Sequence, residues 1–254
     1  MIKILFLDID GTLIFLEDCL KCVKIQKENY FIHKTTQKLL ENIKEIIPIV
    51  LISGRRESSY FRIKRIIPHN IAILEHGGLI YNNDLISSQW EKTLNHFYCK
   101  NQKNLWDFAN KLINKGFYID KKGRKFSFRI QLTKNNKILS KNAEDIISEY
   151  LPSSLKIIKN EGMIDVIPIN SGKLNIASLF LRKNKMNMDD VVFIGNDEND
   201  VDFLSAAGKA MTFQNSSEEV ILSVKTKGSN GVIVSKGHNG IINALKKIKK
   251  ELIN

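Results

Sequence analysis

The chain has 254 residues, of which 43% are hydrophobic and 26% are charged, a composition typical of a soluble globular protein with one large domain or two modest ones. The formal net charge is +12, but the lysines are scattered among asparagine and isoleucine, which argues against a nucleic-acid-binding surface. No apolar run approaches the roughly 18 residues of a membrane span, and Asp8 interrupts the apolar N-terminus too early for a signal peptide. We therefore expect a cytoplasmic protein with no nucleic-acid or membrane partner.

Short apolar runs recur along the chain, and each is followed by polar residues or glycine. Continuous apolarity is typical of strands that are buried on both faces of a parallel sheet. The runs are residues 2–8, 46–54, 70–78, 190–196, 208–213 and 230–235, and helical patterns lie at 35–46, 173–184, 200–208 and in the C-terminal tail. Strands alternating with helices predict an α/β fold, a Rossmann-like doubly wound parallel sheet.

The middle of the chain has a different pattern. A helical segment at 101–116 precedes two predicted strands that turn at Lys122-Gly123, and a helix at 141–151 precedes a hairpin around Glu161-Gly162. Antiparallel strands with helices indicate an α+β unit inserted into the α/β alternation. We predict a core formed by residues 1–84 and 167–254, and a cap domain at 85–166.

The cysteine pattern predicts neither a disulfide framework nor a structural zinc site. Cys19, Cys22 and Cys99 are too few for a disulfide framework. Cys19 and Cys22 form a CxxC pair, but a structural zinc site needs four ligands and the sequence shows no second pair. We expect neither metal binding nor redox chemistry at this pair.

Polar residues follow several of the predicted strands. Asp8 and Asp10 end the first run, Ser53-Gly54-Arg55 ends the second, and residues 195–200, GNDEND, end a later one; Lys173 begins a helix. Ligand sites in open α/β sheets lie beyond the carboxyl ends of the strands. Side chains two residues apart on an extended chain face the same way, so we expect both aspartates to point to one site.

Two carboxylates this close together are costly unless a cation lies between them. Oxygen ligands of this kind bind Mg²⁺, which commonly also binds a substrate phosphate. A serine hydroxyl and a lysine ammonium can hold the remaining phosphoryl oxygens. One aspartate can then act as nucleophile through an aspartyl-phosphate, while the other transfers protons.

The ordered motifs DIDGT, LISGR, GKLN and FIGNDEND resemble those of the haloacid dehalogenase-like (HAD) superfamily of phosphatases. The inserted unit between SGR and Lys173 is similar to the α/β cap of the type IIB group. The resemblance implies that Asp8 is the nucleophile and a magnesium ligand. It also implies that Asp10 is the general acid/base, with its carbonyl on the metal, that Ser53 and Gly54 bind phosphate, and that Lys173 neutralises it.

The fourth motif departs from the family pattern Gly-Asp-x-x-Asn-Asp. Asn196 stands where the first aspartate is expected, and Asp197 follows it. An amide oxygen still binds magnesium but with one negative charge fewer, or Asp197 takes over the role. The expected metal ligands are therefore Asp8, Asp10, Asn196, Asp197 and Asp200, with the choice between Asn196 and Asp197 open.

Three further segments have open interpretations. Residues 15–31 are long for a link to the first helix, and we predict a flap near the active site. Glu75 and His76 fall at a strand end, where a structural turn and a catalytic pair are both possible. The basic turn 121–125, which includes Arg124, is a solvated loop or a contact to the polar end of the substrate, and Arg55 is assigned no catalytic role.

We therefore expect a Mg²⁺-dependent phosphomonoester hydrolase that acts on a small phosphorylated metabolite. A sugar phosphate is the preferred class, ahead of nucleotide or cofactor phosphates. The alternatives are a phosphosugar mutase of the same fold, which the spacing of GNDEND disfavours, and a non-catalytic binding protein with a decayed metal site. The residues leave the oligomeric state open, and we expect a monomer or a weak homodimer.

Overall fold

The computed structural model describes residues 2–83, 85–86, 88–134, 142–160 and 162–253. The strands are β1 (Ile4–Leu7), β2 (Cys22–Lys24), β3 (Phe31–His33), β4 (Ile49–Ile52), β5 (Ile71–Leu74), β6 (Leu79–Asn82), β7 (Leu85–Ile86), β8 (Ile119–Asp120), β9 (Phe128–Gln131), β10 (Leu155–Asn160), β11 (Met163–Pro168), β12 (Val191–Ile194), β13 (Lys209–Phe213) and β14 (Gly231–Val234). The helices are α1 (Lys34–Lys44), α2 (Glu57–Ile63), α3 (Ser88–Asn114), α4 (Ala143–Tyr150), α5 (Lys173–Lys183), α6 (Val201–Ala206), α7 (Glu218–Lys225) and α8 (Gly237–Ile253). Among these helices, none is both long enough and apolar enough to cross a lipid bilayer.

The larger sheet has eight strands in the order β14-β13-β12-β1-β4-β5-β6-β7. The strands from β14 to β5 are parallel, and β6 and β7 continue the sheet in antiparallel pairing. Every residue of β1, β4 and β12 is buried, which explains their continuous apolarity. The predicted Rossmann-like doubly wound sheet is confirmed, and the antiparallel edge is an addition that the sequence analysis did not predict.

Helices cover both faces of this sheet. Leu5 and Leu7 point to the face covered by α1 and α8. Ile4 and Phe6 point to the opposite face, where Phe6 packs against Phe180 of α5 and Phe203 of α6. The side chains of β1 are therefore buried on both faces of the sheet. The residues that follow β1 lie at the carboxyl edge of this packed sheet.

The smaller sheet has four antiparallel strands in the order β10-β11-β9-β8. The predicted hairpin is present as β10 and β11, although its turn residue Glu161 lies outside the described residues. The apolar stripe of α3 and α4 covers this sheet through Leu105, Phe108, Leu112 and Ile147. The predicted helix at 101–116 is the second half of α3, which already begins at Ser88.

The segment after β5 attaches the smaller unit to the core. The Glu75 carboxylate accepts hydrogen bonds from the backbone N–H groups of Lys125 (2.9 Å) and Phe126 (2.8 Å). His76 Nε2 lies 3.0 Å from Asp165 on β11. Glu75 and His76 both have positive φ, at 49° and 55°, a strained conformation for residues other than glycine. This strained turn therefore serves as a buried docking point for the cap.

Candidate active site

Lys173 joins the first and last acidic motifs. Its ammonium donates to Asp8 Oδ1 at 2.6 Å and to Asp200 Oδ1 at 2.6 Å. Asp8 directly follows β1, Lys173 is the first residue of α5, and Asp200 ends the 3₁₀ turn that follows β12. All three side chains are buried. The fold thus brings together Asp8 and Lys173, which are 165 positions apart in the sequence.

Burial affects the pKa values of Asp8 and Lys173 within the triad that they form with Asp200. It raises the pKa of Asp8 to about 7, with the neighbouring Asp200 and Asp10 acting in the same direction and Lys173 opposing them. Burial alone would lower the pKa of Lys173, but Asp200 and Asp8 outweigh it and hold this pKa above its ordinary value. The ammonium therefore stays charged at neutral pH, where it can neutralise an anion.

Asp200 also organises the loop in front of it. Its Oδ2 accepts hydrogen bonds from the backbone N–H groups of Asn196 (3.0 Å) and Asp197 (3.2 Å). A Cβ at Gly195 would lie 2.5 Å from the Asp200 carboxyl carbon, so only glycine allows this close approach. Both oxygens of Asp200 are thus occupied by protein groups.

The side chain of Asn196 lies among oxygen atoms. One atom of its terminal amide group is 3.2 Å from Asp8 Oδ2, 2.9 Å from the Asp10 carbonyl oxygen and 2.7 Å from Thr12 Oγ1. With nitrogen at this position the amide donates to these acceptors, whereas with oxygen there it adds a further acceptor. The oxygen-inward orientation becomes favourable when a cation lies between the oxygens, so this donor set fits a magnesium ion.

Asp197 turns toward its own backbone. Its Oδ1 accepts a hydrogen bond of 2.8 Å from the N–H of Glu198, which makes Asp197 the cap of the following 3₁₀ turn. Burial raises its pKa above the ordinary value. Among the described contacts, the Asn196 amide group lies within 3.2 Å of oxygens of Asp8 and Asp10, whereas the Asp197 carboxylate contacts are to its own loop.

Ser53 and Gly54 lie at the end of β4, beside the triad. Ser53 is buried, and its Oγ accepts a hydrogen bond of 3.2 Å from the N–H of Arg55. A Cβ at Gly54 would lie 2.4 Å from His76 Nε2, so the glycine permits the core loop and the docking turn to pack closely. Both residues line the same cavity as Asp8 and Lys173.

Arg55 is the residue that the sequence analysis missed. Its guanidinium donates to both oxygens of Asp10, at 2.8 and 2.6 Å, and to both oxygens of Glu28, at 3.1 and 2.9 Å. Glu28 comes from the segment 15–31. The signal was present in SGR, where Arg55 directly follows the positions expected to bind phosphate, but nothing in the sequence pairs it with Asp10.

The segment 15–31 lies between β1 and β3, ends at the first residue of β3, and includes β2, which pairs with β3 in a two-stranded hairpin. Phe15 and Glu17 line the cavity, and the Glu28 carboxylate forms an ion pair with Arg55. A disulfide joins Cys19 and Cys22, a pairing that the sequence analysis did not predict. We refer to residues 15–31 as the flap.

These elements enclose a cavity of about 780 Å³, within the range of small-molecule sites. The cap contributes two arginines to it. Arg129 forms a double hydrogen bond with Asp165, at 2.6 and 2.7 Å. Arg124 is only 9% exposed, and its Nε has no hydrogen-bond partner among the residues that the structure describes. Burial lowers the pKa of Arg124, so an anion in the cavity would stabilise its charge.

A family model described as sucrose-6F-phosphate phosphohydrolase matches residues 1–249. The chain belongs to this family. The family is part of the HAD superfamily, and the chain is therefore a phosphatase, a hydrolase of the type that its four motifs predicted. No curated protein is significantly similar to this phosphatase in sequence.

Solved structures show the same fold over nearly the whole chain. The sucrose-phosphatase from Synechocystis sp. PCC6803, in complex with sucrose and phosphate, is 13% identical, with a TM-score of 0.72 and coverage of 98% of this chain and 99% of that one. A haloacid dehalogenase-like hydrolase from Bacteroides thetaiotaomicron is 18% identical, with a TM-score of 0.66 and coverage of 98% and 100%. A subclass IIB sugar phosphatase of the HAD superfamily is 15% identical, with a TM-score of 0.66 and coverage of 97% and 99%.

Proposed function

We propose that this phosphatase hydrolyses a sugar phosphate with Mg²⁺ as cofactor and Asp8 as nucleophile. The observation that carries the proposal is the buried position of Lys173 between Asp8 and Asp200, at 2.6 Å from each. Because the Lys173 side chain is already almost fully buried, its ammonium loses almost no contact with water when a phosphate binds next to it. It is preorganised to stabilise negative charge next to the attacking carboxylate.

The Asp8 carboxylate, the Asp10 carbonyl and the Asn196 amide oxygen would hold the magnesium ion. The distances from the Asn196 amide atom to Asp8 Oδ2 (3.2 Å) and to the Asp10 carbonyl oxygen (2.9 Å) support this assignment. Once bound, the ion neutralises phosphate charge and orients the phosphoryl group. Asp200 and Asp197, expected as ligands, take supporting roles in this proposal because their oxygens already accept backbone hydrogen bonds.

In the first step, an Asp8 oxygen attacks phosphorus and the bond from phosphorus to the ester oxygen breaks. Asp10 donates a proton to the departing sugar hydroxyl. Lys173 and Ser53 bind phosphoryl oxygens, where charge accumulates in the transition state. The products of this step are the free sugar and an aspartyl-phosphate on Asp8.

In the second step, water attacks the phosphorus of the aspartyl-phosphate. Asp10, now ionised, takes the proton of the water, and the bond from phosphorus to the Asp8 oxygen breaks. Inorganic phosphate leaves and Asp8 returns to its carboxylate form. The double hydrogen bond from Arg55 supports this step, because it holds Asp10 in one orientation as a proton acceptor.

The substrate class follows from the cap side of the cavity. The space of about 780 Å³ accommodates a sugar in addition to its phosphate. Polar and charged cap side chains, including Arg124, Arg129, Gln131 and Asp165, line it, and hydroxyl-rich ligands need such partners. The family match and the sucrose and phosphate bound in the Synechocystis enzyme support a sugar phosphate, with sucrose 6-phosphate as the first candidate.

The remaining assignments are also proposals. Residues 1–84 and 167–254 form the catalytic core, and 85–166 form the substrate-selecting cap. The protein acts in the cytoplasm as a monomer or weak homodimer on a small phosphorylated substrate, without nucleic-acid or membrane partners.

The test is phosphate release from a panel that contains sucrose 6-phosphate, other sugar phosphates, nucleotides and pyridoxal phosphate, with and without Mg²⁺. We expect turnover of sugar phosphates that requires Mg²⁺ and falls by several orders of magnitude in Asp8→Asn. Asp18→Asn, an exposed aspartate on the flap, is the matched control. Preferred turnover of nucleotides, or full activity in Asp8→Asn, would refute the proposal.

A further inference from the structure

A second cluster of chemically reactive side chains lies at the base of the flap. Cys22 Sγ is 3.3 Å from His238 Nε2, although 216 residues separate them in the chain. The ligand atoms of Cys19, Cys22 and His238 all lie within 4.8 Å of one another. The sequence shows no second cysteine pair that would complete a structural zinc site, but the fold brings His238 of α8 next to Cys22.

Two members of the cluster lie in regular secondary structure. Cys22 begins β2, and His238 is the second residue of α8. A cavity of about 550 Å³ lies against the cluster and is lined by Asp18, Lys21, Lys236 and their neighbours. An ion could therefore reach the sulfur atoms without opening the fold.

We propose that the reduced cysteine pair and His238 bind a zinc ion. The disulfide is first reduced to two thiols, either by a dithiol, which is itself oxidised to a disulfide, or by a phosphine and water, which give the phosphine oxide. On binding, both thiols release their protons, and zinc receives two thiolates and one imidazole nitrogen, a ligand set it prefers. The fourth tetrahedral position is left for solvent.

The arrangement of His238 supports this assignment. A disulfide alone does not need an imidazole beside its sulfur. His238 Nε2 also lies 3.0 Å from the Glu17 carbonyl oxygen, and Nδ1 is buried with no hydrogen-bond partner in the part of the chain that the structure describes. Nε2 is the ring nitrogen 3.3 Å from Cys22 Sγ, so it is the atom that would bind zinc in place of its contact with Glu17, and Nδ1 would then carry the ring proton.

His33 is the neighbouring candidate for a fourth ligand, and its hydrogen bond argues against it. It faces Cys22 across the β2–β3 pair, and its ring centroid is 6.2 Å from that of His238. However, His33 Nδ1 accepts the N–H of Thr35 and caps α1, which leaves the ring proton on the other nitrogen. Three protein ligands are therefore the assignment that keeps the helix cap intact.

A zinc ion at this position would link the flap to α8. The flap also carries Glu28, which holds Arg55 beside Asp10. The site is nevertheless separate from the phosphatase chemistry, and its binding can be tested without any substrate.

The experiment is a Co²⁺ titration of the full chain, reduced with a phosphine under nitrogen and followed by absorption. We expect one Co²⁺ per chain, with thiolate-to-cobalt charge-transfer bands that zinc abolishes by displacement. Cys99→Ser is the matched control and should bind like the unmodified protein, whereas Cys22→Ser and His238→Ala should weaken binding at least ~100-fold. Absence of saturable binding in the reduced protein, or unchanged binding in His238→Ala, would overturn the proposal.

A second measurement does not depend on the variants folding. X-ray absorption at the zinc edge of the loaded, unmodified protein should give two sulfur neighbours at about 2.3 Å and one imidazole. A shell of oxygen alone, or three sulfur neighbours, would contradict the assignment.

Discussion

Arg55 holds Asp10 through two hydrogen bonds, from Nε at 2.8 Å and from Nη2 at 2.6 Å. The Arg55 side chain is 10% exposed, while that of Asp10 is 40% exposed. The buried guanidinium thus fixes a carboxylate that faces the open cavity. Because it also binds Glu28, the orientation of Asp10 depends on the flap.

Arg55→Lys is expected to lower kcat about 100-fold, which is the lower range for loss of a positioned acid–base group. A lysine keeps the charge but cannot form the planar double hydrogen bond. Steady-state kinetics should show the loss in kcat, with KM changed less than about threefold. Arg62→Lys, which alters the other arginine bound to Glu28, is the control, and an equal effect of both changes would contradict a specific role for Arg55.

Asn196→Asp should increase Mg²⁺ affinity, because a carboxylate adds a negative charge to the ligand set. The amide already lies 3.2 Å from Asp8 Oδ2 and 2.9 Å from the Asp10 carbonyl, so the new oxygen needs no movement of the backbone. Calorimetric titration with Mg²⁺ should show tighter binding by about tenfold. Asp197→Asn is the comparison, and a larger effect there than at Asn196 would return the ligand role to Asp197.

Mg²⁺ binding should depend on pH through Asp8. Burial raises the pKa of this carboxyl to about 7, so below pH 7 the Asp8 carboxyl of the metal-free protein mostly carries a proton. That proton must leave before Asp8 can bind Mg²⁺ as a carboxylate. A raised carboxyl pKa also means that the metal-free protein loses stability as pH rises from the ordinary value of 3.8 toward 7. The increase in Tm on adding Mg²⁺ should therefore be larger at pH 8 than at pH 6. An equal shift at both values, or the same pH dependence in Asp8→Asn, would argue against Asp8 as the titrating ligand.

Arg124→Ala should raise KM for an anionic substrate. Arg124 is almost fully buried and lines the cavity, and its Nε has no hydrogen-bond partner within the described parts of the chain, so a bound anion would satisfy it. We expect about a tenfold rise in KM for sugar phosphates. Lys122→Ala, at the exposed tip of the same cap turn, should leave KM unchanged.

Lys173→Met should destabilise the protein as well as inactivate it. The change leaves two buried carboxylates, Asp8 and Asp200, without their shared cation. Removing one partner of a buried ion pair typically costs about 3–5 kcal/mol. Urea denaturation should show the loss in the free energy of unfolding, and the double variant Lys173→Met with Asp200→Asn should recover part of it. A fully stable Lys173→Met protein would contradict the buried-triad arrangement.

The sequence by itself determined the parallel part of the larger sheet, the order of its motifs and the class of chemistry. Continuous apolar runs predict buried parallel strands because each residue of β1, β4 and β12 must be shielded on both faces. The residues that end such strands meet at one edge, which places Asp8 and Ser53 near each other before any side-chain position is known.

Only the tertiary structure decided which side chains touch. Arg55 on Asp10, Glu28 on Arg55 and His238 beside Cys22 are contacts between segments that no local pattern relates. The same holds for Asn196, whose identity as the oxygen-facing residue depends on one backbone turn around Asp200. The physical reason is that periodic burial is encoded residue by residue along the chain, whereas a contact between distant side chains depends on the packing of every element between them.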